Sequence, residues 1–370
     1  MNGSQSFGLA YDERMLQHDT GFVQQMLDDG TPFEGVEHSS SSRIIGRTHA
    51  LLVASGFAAE CSQITVHEAA EHDIALYHSR EYIASVRRLS ETGGGSAGEA
   101  APVSTGSYQA ALLACGSAIS AVDAVIDGDV RAAYALGRPP GHHALTDSGM
   151  GYCLFNNVVI AARHAQRRGL TRIMIVDWDV HHGNGTQAAF YDDPSVLFLS
   201  VHQDNWYPAD MGALDQIGTG RGAGATMNVP LPAGTGDVGY IAVLDRIVAP
   251  VARHFKPEIL LVSAGQDASM FDPLGRMQVT MAGFNALGQR ARAIADEVCG
   301  GRLVLVQEGG YSLSYSPFCA LATVCGAAGS TRTVPDPHLG ASELAQSQSV
   351  YSRDTEQAVL EAIALHVHRQ

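Results

Sequence analysis

The run from Arg172 to Val176 is short, rich in β-branched residues and unbroken, and it ends abruptly in Asp177-Trp178-Asp179-Val180-His181-His182-Gly183-Asn184-Gly185-Thr186-Gln187. An apolar run without alternation reads as a strand buried on both faces, which places it inside a parallel sheet covered by helices. In such sheets ligands bind beyond the carboxyl ends of the strands, so polar side chains emerging there stand where chemistry occurs. Along an extended segment Asp177, Asp179 and His181 share one side. Two carboxylates and an imidazole suit a borderline cation such as Zn²⁺, and three protein ligands leave a fourth position open for a catalytic role. A lone D-x-D is as readily a capped helix start, but the His pair and the Gly-x-Gly turn weigh against that here.

The same grammar recurs along the chain. Phe7 to Tyr11 reads as a first strand, followed by a polar stretch over 17–42 that is long for a compact domain and is expected to rim an active-site mouth. Ser42 is expected to cap a helix over 43–55, Ile64–His67 to be a strand, and 69–92 to hold two short helices. The Gly93–Ser96 tract reads as a turn. Apolar residues at 110, 113, 114, 118, 122 and 125 stripe a helix over 107–126. A strand over 132–136 then meets Gly137-Arg138-Pro139-Pro140-Gly141-His142-His143, where two prolines restrict φ and hold tandem imidazoles at a strand end. Such a pair suggests a general base and an electrostatic partner.

Helix and strand then alternate: helix 155–168, the central strand, strand 195–202, helix 237–255, strand 258–263, helix 282–299 and strand 302–306. This order implies one α/β domain with a doubly wound parallel sheet. Asp267 and Tyr311 follow two of those strands, so four strand ends deliver His142 and His143, then Asp177, Asp179 and His181, then Asp267, then Tyr311. After Gly329 only 359–367 reads as helical.

Composition narrows the function classes. With 45% hydrophobic and 16% charged residues among 370, the chain can bury a large core, and 40 glycines fit many tight turns. A formal charge of −15 without a basic patch argues against direct nucleic-acid binding and favours cationic partners. Six cysteines lack disulfide-like or C-x-x-C spacing, and neither a leader pattern nor an uninterrupted apolar stretch of membrane-spanning length appears, so a cytoplasmic protein with no membrane partner is expected. Homo-oligomerisation stays open.

Four motifs in order, Gly137–His143, Asp177–Thr186, Gly265-Gln266-Asp267 with Asp272-Pro273, and Glu308-Gly309-Gly310-Tyr311, resemble the zinc-dependent histone deacetylase family over about residues 6–328. Tyr11–Met15, and Asn184 where class I relatives carry Asp, are similar to the class II branch and to bacterial histone deacetylase-like amidohydrolases. The resemblance implies an arginase/deacetylase-like fold, one domain over 1–370 with an extension over 329–370, and Zn²⁺ on Asp179, His181 and Asp267. Assigning Asp267 in place of Asp177 rests on the family alone. The resemblance further implies His143 as general base oriented by Asn184, His142 as a charged partner held by Asp177, and Tyr311 as oxyanion donor. It implies structural potassium near Asp177, Asp179, His181, Ser200 and Val201, and a second site near Phe190, Asp193 and Val196.

Departures bear on substrate. Relatives wall the acyl-lysine channel with two phenylalanines; the matching positions, beside Gly151, are Tyr152 and Tyr207. Gln266 precedes the third implied ligand and has no evident role. Leu274 stands where polyamine-selective relatives often carry Glu. The expected activity is therefore removal of acetyl or related groups from acyl-lysine, with hydrolysis of small acetylated polyamines as the alternative. A binuclear manganese ureohydrolase would need a second Asp near Asp267, where Ala268 and Ser269 stand. A catalytically dead acyl-lysine reader would be expected to lose Tyr311 or a metal ligand, and neither is lost.

Overall fold

In a computed structural model, which describes residues 7–348 and 352–367, the chain is built on one sheet of eight parallel strands. Residue 6, where the family resemblance begins, lies outside the described residues, as do parts of the extension over 329–370. The sheet strands are numbered here in chain order: β1 Phe7–Ala10, β2 Ser62–Ile64, β3 Ala132–Ala135, β4 Ile173–Asp177, β5 Val196–Gln203, β6 Thr226–Leu231, β7 Ile259–Ala264 and β8 Leu303–Gln307. Their spatial order is β6-β5-β4-β7-β8-β3-β1-β2. From β4 the chain winds outward through β5 and β6, then returns to lay β7 on the other side of β4. The winding direction therefore switches between β4 and β7, the position where open α/β sheets form their ligand crevice.

Strand alternation divides the core in two. Ile173 and Ile175 of β4 pack with Val158 and Ala162 of helix Asn157–Arg167, while Met174 and Val176 face the opposite layer with Leu260 and Val262. Helix Ser107–Ile126 matches its expected bounds. It is long and apolar enough to cross a membrane, yet about two-thirds of its apolar window is buried within the protein. Its hydropathy is explained by packing under the sheet.

Several expectations are corrected. The helix Ser42–Ala54 is capped one residue earlier, by Ser41 accepting from the Arg43 N–H. The strand placed at 64–67 ends at Ile64. The stretch 17–42 contains an antiparallel hairpin, Phe22–Met26 with Pro32–Glu37, and the Gly93–Ser96 tract contributes Gly95–Ser96 to a small pairing with Pro102–Val103. Strand β6 carries Pro230 and lies at the sheet edge, where a missing N–H is tolerated. The extension holds two helices, Leu339–Gln348 and Arg353–Ala362, the second continuing as a π-helical turn over Ile363–Val367.

Helices Met281–Val298 and Ser316–Ala328 lie close together because two glycines admit backbone contact. A Cβ on Gly288 would sit 2.1 Å from the Thr323 carbonyl oxygen, and one on Gly326 would sit 2.1 Å from that of Asn285. Neither carbonyl can yield without moving its helix. Gly288→Ala is thus expected to lower stability by about 1–3 kcal/mol despite its better helix propensity, through overpacking. Urea denaturation measures this, and a gain in stability would mean that the helices separate at no cost.

Candidate active site

The four motifs leave the carboxyl ends of β3, β4, β7 and β8, which are adjacent in the sheet. Asp179, His181 and Asp267 converge so that one ligand atom from each lies within 4.8 Å of the others, and all three residues are buried. The His181 Nδ1 is 3.0 Å from Asp179 Oδ1 and 3.1 Å from Asp267 Oδ2. Asp177 turns away from this point. Its Oδ2 lies 3.0 Å from the Nδ1 of His142, and its Oδ1 accepts from the Asp179 N–H at 3.1 Å. Of the three side chains that strand alternation placed on one side, two thus join Asp267 and the third holds a histidine.

The donor set fits a cation. Two buried carboxylates meet at one imidazole nitrogen, and burial together with the Asp179 charge pushes Asp267 up to about 7. Burial opposes charge on His181, yet the two carboxylates outweigh it and raise its pKa to about 10. A bound cation would neutralise that excess and leave the imidazole free to ligate. The remaining carboxylate oxygens are held by backbone: Asp179 Oδ2 accepts from the Gly309 N–H and Asp267 Oδ1 from the Val180 N–H, both at 2.8 Å.

The two tandem histidines are electrostatically distinct. His142 lies between Asp177 and Asp179, its Nε2 being 3.7 Å from Asp179 Oδ1. Burial opposes its charge, but Asp179 and Asp177 outweigh it and raise its pKa well above the ordinary value. His143 is driven well below that value by burial and by the charges of His142 and His181. Its Nδ1 meets Asn184 Oδ1 at 2.7 Å, an assignment that puts the proton on Nδ1 and leaves Nε2 with a lone pair.

His143, His181 and Tyr311 line a cavity of about 370 Å³ with Gly151, Tyr152, Tyr207, Leu274 and four further residues. The Tyr152 and Tyr311 rings meet edge-on at 5.7 Å, and Tyr207 stands edge-on to His143 at 5.1 Å. The Tyr207 hydroxyl is buried beside the Gly151 backbone. Burial and the Asp267 charge hold the Tyr311 phenol well above its ordinary pKa, so it remains a hydrogen-bond donor. The stretch expected to rim the mouth does reach it: His38 packs edge-on against Tyr152 at 4.6 Å.

Gln266 is not a tunnel residue. It is buried, donates to the Ala264 carbonyl and accepts from Gln307 Nε2 at 2.8 Å, bracing the ends of β7 and β8. Three positions had no assigned role from the sequence. Asp272 accepts from the N–H groups of Tyr311 and Leu274, fixing the tyrosine loop. Glu308 accepts from the N–H groups of Gly141 and His142, tying β8 to the histidine turn. Trp206 lines the outer cavity. All three depend on loop-to-loop contacts that leave no local pattern.

Around β4, Asp177 and Ser200 are register partners, with Val201 next along β5. Phe190, Asp193 and Val196 form a turn in which the Asp193 N–H donates to the Phe190 carbonyl.

A family profile described as Histone deacetylase domain matches residues 38–327. The chain is 40% identical to a histone deacetylase-like amidohydrolase of Pseudomonas aeruginosa, covering 96% of this chain and 94% of that one. It is 42% identical to a probable deacetylase of Archaeoglobus fulgidus over 71% of this chain and 73% of that one. The crystal structure of the HDA15 HD domain superposes with a TM-score of 0.86 at 32% identity, covering 98% and 95% of the two chains. The parallel sheet with helices on both faces is accordingly the arginase/deacetylase-like α/β fold, and this chain belongs to the histone deacetylase family.

Proposed function

We propose that the chain is a zinc-dependent hydrolase that removes acetyl or related acyl groups from the side-chain amine of acyl-lysine in peptides or proteins. The observation carrying this reading is the convergence of Asp179, His181 and Asp267 beside a cavity that also holds a neutral His143 and the Tyr311 phenol. Two carboxylates and one imidazole leave a coordination position open, the pattern of a catalytic zinc site. Zn²⁺ bound there would supply Lewis acidity toward the amide carbonyl and lower the pKa of the attacking water.

The protein's own groups do the rest. His143 takes a proton from the attacking water on Nε2, while its Nδ1–H donates to Asn184 and keeps the ring oriented. It returns that proton to the leaving amine. His142, held between Asp177 and Asp179, contributes fixed positive charge beside the site where negative charge develops. The Tyr311 hydroxyl donates to the carbonyl oxygen as it becomes an oxyanion. Tyr152 and Tyr207 flank the lysine methylenes, and Gly151 keeps the wall thin, since a Cβ there would stand 2.4 Å from His143 Cδ2.

We also assign structural potassium to carbonyls of Asp177, Asp179 and His181 with Ser200 and Val201, and to the turn of Phe190, Asp193 and Val196. The strand register and the local turn support these two sites. Six unpaired thiols, most of them buried, support a reducing, cytoplasmic setting.

Asp267→Ala is expected to lose zinc and activity together, read by elemental analysis and turnover of an acetyl-lysine peptide; stoichiometric zinc with full turnover would overturn the ligand set. Tyr311→Phe should bind substrate almost normally and turn over roughly 10²-fold or more slowly, with His143→Ala at least as impaired. Wild-type kcat in Tyr311→Phe would assign the oxyanion to another donor.

Small acetylated polyamines are the competing substrate class, favoured by the −15 formal charge. That field is screened within about 10 Å, and the described cavity lining contains no Asp or Glu to hold a second ammonium. The wild type should therefore prefer an acetyl-lysine peptide to acetylputrescine, and Leu274→Glu should shift kcat/KM toward the polyamine. A tenfold wild-type preference for acetylputrescine, about 1.4 kcal/mol in transition-state binding, would reverse the substrate assignment.

A further inference from the structure

We propose that Arg276 forms an anion subsite at the mouth of the cavity, selecting acylated amines that carry a carboxylate on the amine side of the scissile amide. The proposal rests on the deacylase reading above and extends it to the substrate's flanking group. Arg276 is the one Arg, Lys, Asp or Glu side chain among the cavity's described lining residues. It is exposed, as are Trp206 and Pro273 beside it, whereas His143, His181 and Tyr311 at the reacting end are buried. The reacting end and the cation are thus at opposite ends of one cavity. The acyl group is consumed at the first, so a group near the second belongs to the amine.

The guanidinium is positioned rather than free. Its carbon lies 5.1 Å from the centre of the Trp206 ring, and Nη1 donates to the Gly275 carbonyl at 2.8 Å. The Arg276 backbone N–H is bound by Gln203 Oε1 at 2.8 Å. Trp206 is fixed in turn by its Nε1–H donating to the Leu274 carbonyl at 2.7 Å. Indole and guanidinium therefore hold each other across two loops, the one after β5 and the one after Pro273. Among the described residues no carboxylate lies within ion-pair distance of Arg276, and Nε and Nη2 make no protein hydrogen bond, so the rest of the fork is available. A planar guanidinium fork suits a carboxylate, which it can bind with two parallel N–H donors.

The sign at the rim opposes that of the whole molecule. The overall −15 acts over a distance and is screened, while Arg276 acts at contact. A carboxylate can come from an acidic residue beside the acyl-lysine or from the α-carboxylate of free acyl-lysine; both present the same chemistry to Arg276.

The test measures kcat/KM for acetyl-lysine peptides with Glu, Gln or Lys next to the acylated residue, and for Nε-acetyl-lysine as its free acid and its carboxamide. Wild type, Arg276→Gln and Arg276→Lys are compared. The wild type should favour the Glu over the Lys peptide by roughly fivefold to tenfold, mainly through KM and less at high salt, as suits an exposed ion pair reinforced by repulsion of lysine. Arg276→Gln should bring that ratio to within about twofold of unity, and Arg276→Lys should retain part of it. A preference for free acid over carboxamide identifies the α-carboxylate as a source; a preference confined to the peptides identifies the flanking residue. Turnover of the Gln peptide with no charge preference, or with a preference that survives Arg276→Gln, overturns the subsite and leaves the deacylase reading intact. Absence of turnover on every substrate overturns both.

Discussion

Two carboxylates buried against one imidazole are the constraint around which this protein is arranged. Isolated buried charge is costly, and Asp179 and Asp267 would repel each other across His181 without compensation. The surrounding structure supplies it piecemeal: N–H groups of Val180, His181 and Gly309 donate to their oxygens, and His142 stands near Asp179 as a cation. Each donor comes from a strand-end loop. The loops are therefore fixed by the carboxylates they serve.

That mutual dependence explains why glycine and amide groups recur beside the site. A Cβ on Gly309 would lie 2.1 Å from Asp267 Oδ2, and one on Gly265 would lie 2.2 Å from Asp179 Oδ2. Only bare backbone can approach the carboxylates this closely, and the Gly309 N–H uses that approach to donate to Asp179 Oδ2. Gln266 and Gln307 lock the same two loops from behind, so Gln266, next in sequence to Asp267, serves the scaffold.

Electrostatic character differs by length scale. The molecule is strongly acidic, the reacting end contains a cationic and a neutral histidine side by side, and the mouth presents a guanidinium on an indole. Long-range attraction and contact selectivity need not agree, because screening weakens the first beyond about 10 Å of solvent while the second acts at hydrogen-bond distance. The rim thus presents a charge whose sign the overall charge does not foretell.

The sequence by itself determined the parallel α/β class, the strand-end motifs and the helix over 107–126, because each is written in local periodicity or in contiguous residues. It also carried the family likeness through four motifs in order. What it left open was decided by strand adjacency. From alternation alone Asp177, Asp179 and His181 were equivalent, and only the placement of β7 beside β4 brings Asp267 in and leaves Asp177 to His142. The edge strand β6, the first helix of the extension, Leu339–Gln348, the linking roles of Asp272 and Glu308, and the pairing of Trp206 with Arg276 across 70 positions were likewise invisible. The reason is physical: a hydrogen bond or ring contact between distant loops leaves no period in either segment, and exists only once the sheet has set their separation.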